Sequence, residues 1–359
     1  MEVPYYKETR VEGKYLPYGL LETVLKDYEH WNISEGFSEK LYPIPLYRIG
    51  EGKKCILLWS QMHGNESTTT RALLDLFKLF AEEGYPFNNC QLYIIPMLNP
   101  DGAIQYTRVN GNGVDLNRDA VALSQRESQF LRSVYNRMRP HFCFNLHDQR
   151  TIFGVGDKPA TVSFLAPAVD EDRNVTEVRK KAATIITKMN NYLQLSINGF
   201  VGRFDDSFNP NCTGDQYSLL GTPTILIESG FYPGDYQREQ TRKYIAQALY
   251  VGLSYINDNK VGTEGWKHYL EIPENKKCFR DYCIVDDKNP DDKIFVQLEE
   301  VLEGNKIIFI PKPVPESEGK DFLAHKTYQL SEICLGNNCN IRSCIPDILA
   351  YIRKEVENI

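Results

Sequence analysis

At 359 residues the chain is too long for one small core and short for three domains, and its 42% hydrophobic and 25% charged composition is that of an ordinary globular protein. A net charge of −7 argues against non-specific attachment to nucleic acid or to an anionic membrane. No apolar run approaches the ~18 residues that a membrane helix needs, and the opening "MEVPYYKETRVEGKY" has no apolar leader core, so the expectation is a cytoplasmic protein that meets no membrane.

The first 260 residues alternate helix-like and strand-like segments. "YGLLETVLKDYEHW" (18–31) has helical spacing, and "LYPIPLYRIG" reads as extended. "KCILLWSQ" (54–61) is a continuous apolar run of strand length, suited to a strand buried on both faces. "STTTRALLDLFKLFAEEG" (67–84) is helical and stops at Gly84. "CQLYIIPMLNP" (90–100) is a second buried strand, 124–140 a helix, "HFCFNLHDQ" (141–149) a third strand and 176–193 a helix. "TPTILIES" (222–229) is a further core strand, followed by a helix over 237–256. Such alternation predicts an α/β fold around a largely parallel sheet. The pattern changes near residue 262, so the expected division is 1–262 and a small β-rich unit over 263–359. That unit holds "CFRDYCIVDD", "KIFVQLEEV" and "KIIFIPKPV", then a final helix.

Cys55, Cys90, Cys143 and Cys212 read as reduced, mostly buried thiols. The late group, Cys278, Cys283, Cys334, Cys339 and Cys344, lacks the tight C-x-x-C hooks of zinc ribbons, and a disulfide within it stays open.

In open α/β sheets the site lies at the carboxyl ends of the strands. "HGNE" with His63 and Glu66, "NPDG" (99–102), "NLHD" with His147, and Glu228 all stand at such ends. A second His-x-x-Glu spacing, His268 and Glu271, has no comparable company and reads as surface. His63, Glu66 and His147 form a His₂Glu set that suits a catalytic zinc, one per chain, with a position left for water. Glu228, an acid in the apolar strand "TILIESGF", is either paired with an arginine or a general base that takes a proton from the attacking water and returns it to the leaving amine. In "YTRVNGNGVDLNRD" (106–119), Asn117 and Arg118 suit the grip of a carboxylate, and Arg108 the stabilisation of a developing oxyanion. The alternative is a solvated Gly/Asn-rich loop.

"HGNE", "NPDG", "GVDLNR", "NLHD" and "LIESG", in this order over residues 40–255, resemble the zinc carboxypeptidases of the carboxypeptidase A-like (funnelin) type. The resemblance implies an α/β/α sandwich with a mixed, mostly parallel sheet. It implies zinc on His63, Glu66 and His147, with Glu228 as general base. Asn117 and Arg118 would bind the terminal carboxylate of a peptide, and Arg108 would stabilise the tetrahedral intermediate. Two departures stand out. Asn65 occupies a place where digestive members carry arginine, and the region of their mobile tyrosine reads "GRFDDSF", which leaves Tyr217 as the stand-in for substrate contact.

"TRVNGNGVDLNR" is also similar to the loop of bacterial murein-peptide amidases, which cleave the γ-D-glutamyl-diaminopimelate bond. Two further readings remain: a deacylase of N-acyl amino acids of the aspartoacylase or succinylglutamate desuccinylase kind, and a catalytically silent peptide-binding module. Asp205, Asp206 and Asp215 either favour an amine-bearing substrate or are solvated loop acids.

Overall fold

The computed structural model describes residues 3–318, 321–334 and 340–357. In chain order the first unit runs α1 (Tyr18–Leu25), β1 (Asn32–Phe37), β2 (Pro43–Ile49), β3 (Lys54–Ser60), α2 (Thr68–Glu83), β4 (Cys90–Ile95), α3 (Pro100–Gln105), α4 (Arg126–Met138) and β5 (Phe142–Asp148). It continues through β6 (Phe153–Val155), β7 (Lys158–Pro159), β8 (Val162–Leu165), α5 (Glu177–Leu193), β9 (Val201–Arg203), α6 (Thr213–Leu219), β10 (Thr224–Ser229), α7 (Glu239–Asp258) and α8 (Trp266–Tyr269). The remainder is β11 (Lys276–Lys277), β12 (Phe279–Asp286), β13 (Asn289–Glu303), β14 (Lys306–Pro313), β15 (Leu323–Gln329), α9 (Leu330–Ile333) and α10 (Ile345–Val356).

Eight strands form the main sheet in the order β1-β2-β4-β3-β5-β10-β8-β9. The inner four, β4, β3, β5 and β10, run parallel, and antiparallel pairing at β2–β4 and β10–β8 makes the sheet mixed. The inner strands are buried on both faces because each face carries helices, which is why they read as continuous apolar runs. Alternation along β3 shows it: Ile56 and Leu58 enter the core shared with α2, α5 and α7, whereas Leu57 and Trp59 enter the one shared with α4 and Tyr217 of α6. This is the three-layer α/β/α sandwich expected.

A four-stranded sheet, β14-β13-β12-β15, forms the β-rich C-terminal part. Its first strand in the chain is β12, from Phe279, and the residues just before it also touch the first unit. The Tyr269 hydroxyl oxygen accepts from Ala166 N at 3.2 Å, and β11 pairs with β6. A third apolar core joins the two parts: Phe231 and Tyr236 pack with Tyr282, Ile284, Val296, Phe309 and residues of α10. Of the late cysteines, Cys278, Cys283 and Cys334 are free, Cys344 is disulfide-bonded, and Cys339 lies outside the described residues. Among the described residues no helix is long and apolar enough to cross a membrane.

Candidate metal centre and cleft

β3 ends at Ser60 and the chain turns back through 61–67 before α2 begins, so Glu66 sits in the turn ahead of the helix rather than on its first turn. Glu66 N donates to His63 O at 3.1 Å, closing that turn. Gly64 is required by close approach: a Cβ there would sit 1.9 Å from the carbonyl carbon of Gly102. "HGNE" therefore packs backbone to backbone against "NPDG". The latter is a helix start, with Asn99 capping α3 by accepting from Gly102 N at 2.9 Å and Pro100 in the first turn. Asp101 is spent on Ser38 and Lys40 N, so this motif supports the site and does not enter it.

His63, Glu66 and His147 each offer one ligand atom within 4.8 Å of the others. His63 Nδ1 lies 2.8 Å from Glu66 Oε1, and His147 Nδ1 lies 2.9 Å from Glu66 Oε2. All three are buried. Two imidazole nitrogens and a carboxylate around one point are the donor set of a zinc site, so these residues fit the ion. Burial opposes ionisation of Glu66, yet the two histidines hold its carboxyl below the usual range. Burial likewise works against the charged form of His63, and Glu66 and Asp115 outweigh it to raise its pKa. Burial keeps His147 low.

Asp115 belongs to the same cluster, and sequence reasoning missed it. Its Oδ1 lies 3.0 Å from His63 Nε2, and its Oδ2 accepts from Arg108 Nε at 3.0 Å. A carboxylate on the far nitrogen of a ligand histidine fixes the tautomer and leaves the near nitrogen bare. The signal was present in "GVDLNR", two residues before Asn117.

Strand register places the remaining acid. In the parallel pair β5–β10, Glu228 stands directly beside His147, and across the antiparallel pair it faces Ser163. Glu228 is 9% exposed and makes no hydrogen bond or ion pair to another described residue. Burial pushes its carboxyl well above the ordinary value, and the charges of Glu66 and Asp148 add to this.

A cleft of about 1070 Å³ contains His63, Glu66, His147, Glu228, Arg108, Asn117 and Arg118 together. Arg108 Nη1 is 3.5 Å from Glu66 Oε1 and its side chain is half exposed. Asn117 Oδ1 accepts from Thr213 N at 2.9 Å. Arg118 donates through Nη1 to Asn117 O and Cys212 Sγ, at 2.7 and 3.1 Å, and has no carboxylate partner among the described residues. Tyr217 is not brought to the cleft. It is 1% exposed, stacked on Tyr135 with ring centroids 4.0 Å apart and edge-on to Trp59, because α6 turns its apolar face into the second core. Its assignment to substrate contact is therefore withdrawn. His268 and Glu271 pair with each other on the surface.

Residues 36–192 match the family model described as zinc carboxypeptidase, peptidase M14. A 97-residue stretch is 27% identical to probable carboxypeptidase 2 of Arthroderma benhamiae, covering 25% of this chain and 18% of that protein. Carboxypeptidase 2 of Trichophyton tonsurans is 26% identical over 97 residues, with the same two shares. The match thus spans less than a fifth of these curated relatives. Among solved structures, the metallo-carboxypeptidase from Burkholderia cenocepacia is similar with a TM-score of 0.54 at 16% identity, over 68% of this chain and 70% of that one. Carboxypeptidase A from Helicoverpa armigera is similar at 0.55 and 17%, over 68% and 74%. These structural likenesses concern the fold, and the family match falls on the segment that carries all three candidate ligands. Residues 36–192 are thus similar to the zinc carboxypeptidase family, on the part of the chain that carries His63, Glu66 and His147.

Proposed function

We propose that the protein is a zinc-dependent metallocarboxypeptidase that hydrolyses the amide bond next to a free terminal carboxylate of a peptide. The observation that supports this most is the register of β5 and β10, which sets an unpaired Glu228 beside a ligand histidine in a cleft that also holds an arginine with no carboxylate partner. Zinc, when bound by His63, Glu66 and His147, supplies a Lewis acid that brings the pKa of water towards 7 and polarises a carbonyl.

The rest falls to the chain's own groups. Glu228 takes the proton of the attacking water and delivers it to the leaving nitrogen; its raised pKa favours holding that proton between the two transfers. Arg108, half exposed beside Glu66, meets negative charge as it develops on the former carbonyl oxygen. Arg118, with Asn117 beside it, forks onto the terminal carboxylate and sets which bond faces Glu228. A murein peptide with a free carboxylate remains a candidate substrate alongside ordinary peptides.

Matched peptides with a free and an amidated C-terminus test the reading. The free acids should be cleaved and the amides left nearly intact, and Arg118→Ala should abolish most of that difference. Equal cleavage of both forms by the parent protein would remove the carboxylate clamp, and turnover of N-acyl amino acids alone would favour the deacylase reading.

A further inference from the structure

Asn145 is a polar side chain on the cleft wall with both of its amide atoms unpartnered among the described residues. It stands on β5 two residues before His147, and therefore on the same face of the sheet. Its strand partner is Leu226, two residues before Glu228. The pair thus lines the cleft one step further along the strands than His147 and Glu228. Asn145 is 0% exposed, yet neither its Oδ1 nor its Nδ2 has a hydrogen-bond partner among the described residues. A buried amide with both ends bare is an exception to the rule that buried polar groups are satisfied, and it calls for a partner.

The wall of the cleft beside this amide is formed by α6. Gly214, the second residue of α6, brings no side chain to this wall; a Cβ there would lie 3.4 Å from Asn145 Nδ2, in contact with the amide. Asp215, next in the chain, is also buried on the cleft wall, where it accepts one long hydrogen bond from Asn209 N at 3.5 Å. Burial holds its carboxyl up at about 7. The neighbouring acids are occupied: Asp206 pairs with Arg173 and Arg179, and Asp205 with Ser207. Leu165 and Leu226 supply apolar wall between these polar groups.

We propose that Asn145 determines which terminal residue is accepted, and that it takes a side chain ending in a primary carboxamide, as in glutamine. The inference rests on the carboxypeptidase reading of the same cleft. An apolar side chain leaves both amide atoms of Asn145 bare. An ammonium satisfies Oδ1 and Asp215 but gives nothing to the Nδ2 donors. A carboxylate accepts from Nδ2, leaves Oδ1 bare and meets the buried carboxyl of Asp215. A carboxamide donates to Oδ1 and accepts from Nδ2 in one two-point pairing, with a second N–H left for Asp215. Its methylenes lie against Leu165 and Leu226.

The test uses the zinc-loaded full chain and peptides that differ only in a terminal glutamine, lysine, glutamate or leucine. Glutamine should lead each of the others in kcat/KM by roughly ten-fold or more, since a site built to hydrogen-bond a substrate group rejects analogues that lack it. Asn145→Leu, with zinc content and thermal stability as in the parent, should reverse the order of glutamine and leucine. If that variant does not fold, Asn145→Ser should bring glutamine down to the level of leucine. A parent preference for leucine, lysine or glutamate, or variants that lower all four substrates alike, would overturn the proposal while leaving the peptidase reading in place. No turnover of any free-acid peptide would remove both.

Discussion

Glu228→Gln keeps the shape of the side chain and removes its basicity, so it isolates proton transfer. It should retain zinc and lower kcat by about 10²–10⁴-fold, and near-parental turnover would take Glu228 out of the chemistry. Asp115→Asn removes the charge that holds His63 in its ligand tautomer. The expected loss is about 10–100-fold in zinc affinity, read by competition with a chelator; unchanged affinity would mean that Asp115 merely anchors Arg108. Individual residues were unevenly legible in the sequence. His63, Glu66, His147 and Glu228 announced themselves as polar groups at the ends of apolar strands. Tyr217 was misread because chain distance from Glu228 says nothing about which face of α6 it occupies, and the strong pull of Tyr135 and Trp59 decided that. Asn145 was invisible because an asparagine inside a strand acquires meaning only when its neighbours are seen to leave it unsatisfied.

The segment 149–155, which follows His147, is an element on which the two parts of the molecule meet. Thr151 Oγ1 accepts from Gln297 Nε2 at 2.9 Å, Thr151 O accepts from His325 Nε2 at 2.8 Å, and Ile152 O accepts from Cys278 N and Phe279 N. His325 is stacked on Phe279, its rings 8° from parallel. Burial holds its pKa down at about 4, against an ordinary 6.5. The folded value lies below the unfolded one, so the chain binds an additional proton on unfolding. Stability is then fully present above about pH 6.5 and is lost as pH falls towards 4, by at most about 3 kcal/mol. Denaturant titrations of the parent and of His325→Gln across that window test this; parallel pH profiles would exclude His325 as the source. Long periodic elements such as α2, α5 and α7 could be read from the sequence within a few residues, because their apolar spacing is a local property. The strands β9 and β15 could not, since they exist only through pairing with distant partners, and β6 and β7 are too short to carry a periodic signal.

Over the whole molecule, the third core makes the β-rich part a partner in folding rather than an appendage. Phe231 and Tyr236 come from the loop between β10 and α7, and they pack among side chains of β12, β13, β14 and α10. Lys14, from the amino-terminal segment, is ion-paired with Glu300 of β13, and Tyr106 donates to the same carboxylate. Unfolding should therefore be one transition. Fluorescence of Trp31, Trp59 and Trp266, all in the first unit, should coincide with the loss of circular dichroism from the entire chain. Two separated transitions would show the parts to be independent. The sequence revealed the change of texture near residue 262 but gave no hint of this shared interior, because a boundary in composition is not a boundary in contacts. Gln297, Leu298, Lys312 and Val314 also face the cleft, opposite residues encoded far earlier. On the ribosome, then, His63, Glu66, His147 and Glu228 are made well before the mouth that surrounds them. A growing chain would hold its tools without a finished vice, and competence to cut would arrive only with the last strands.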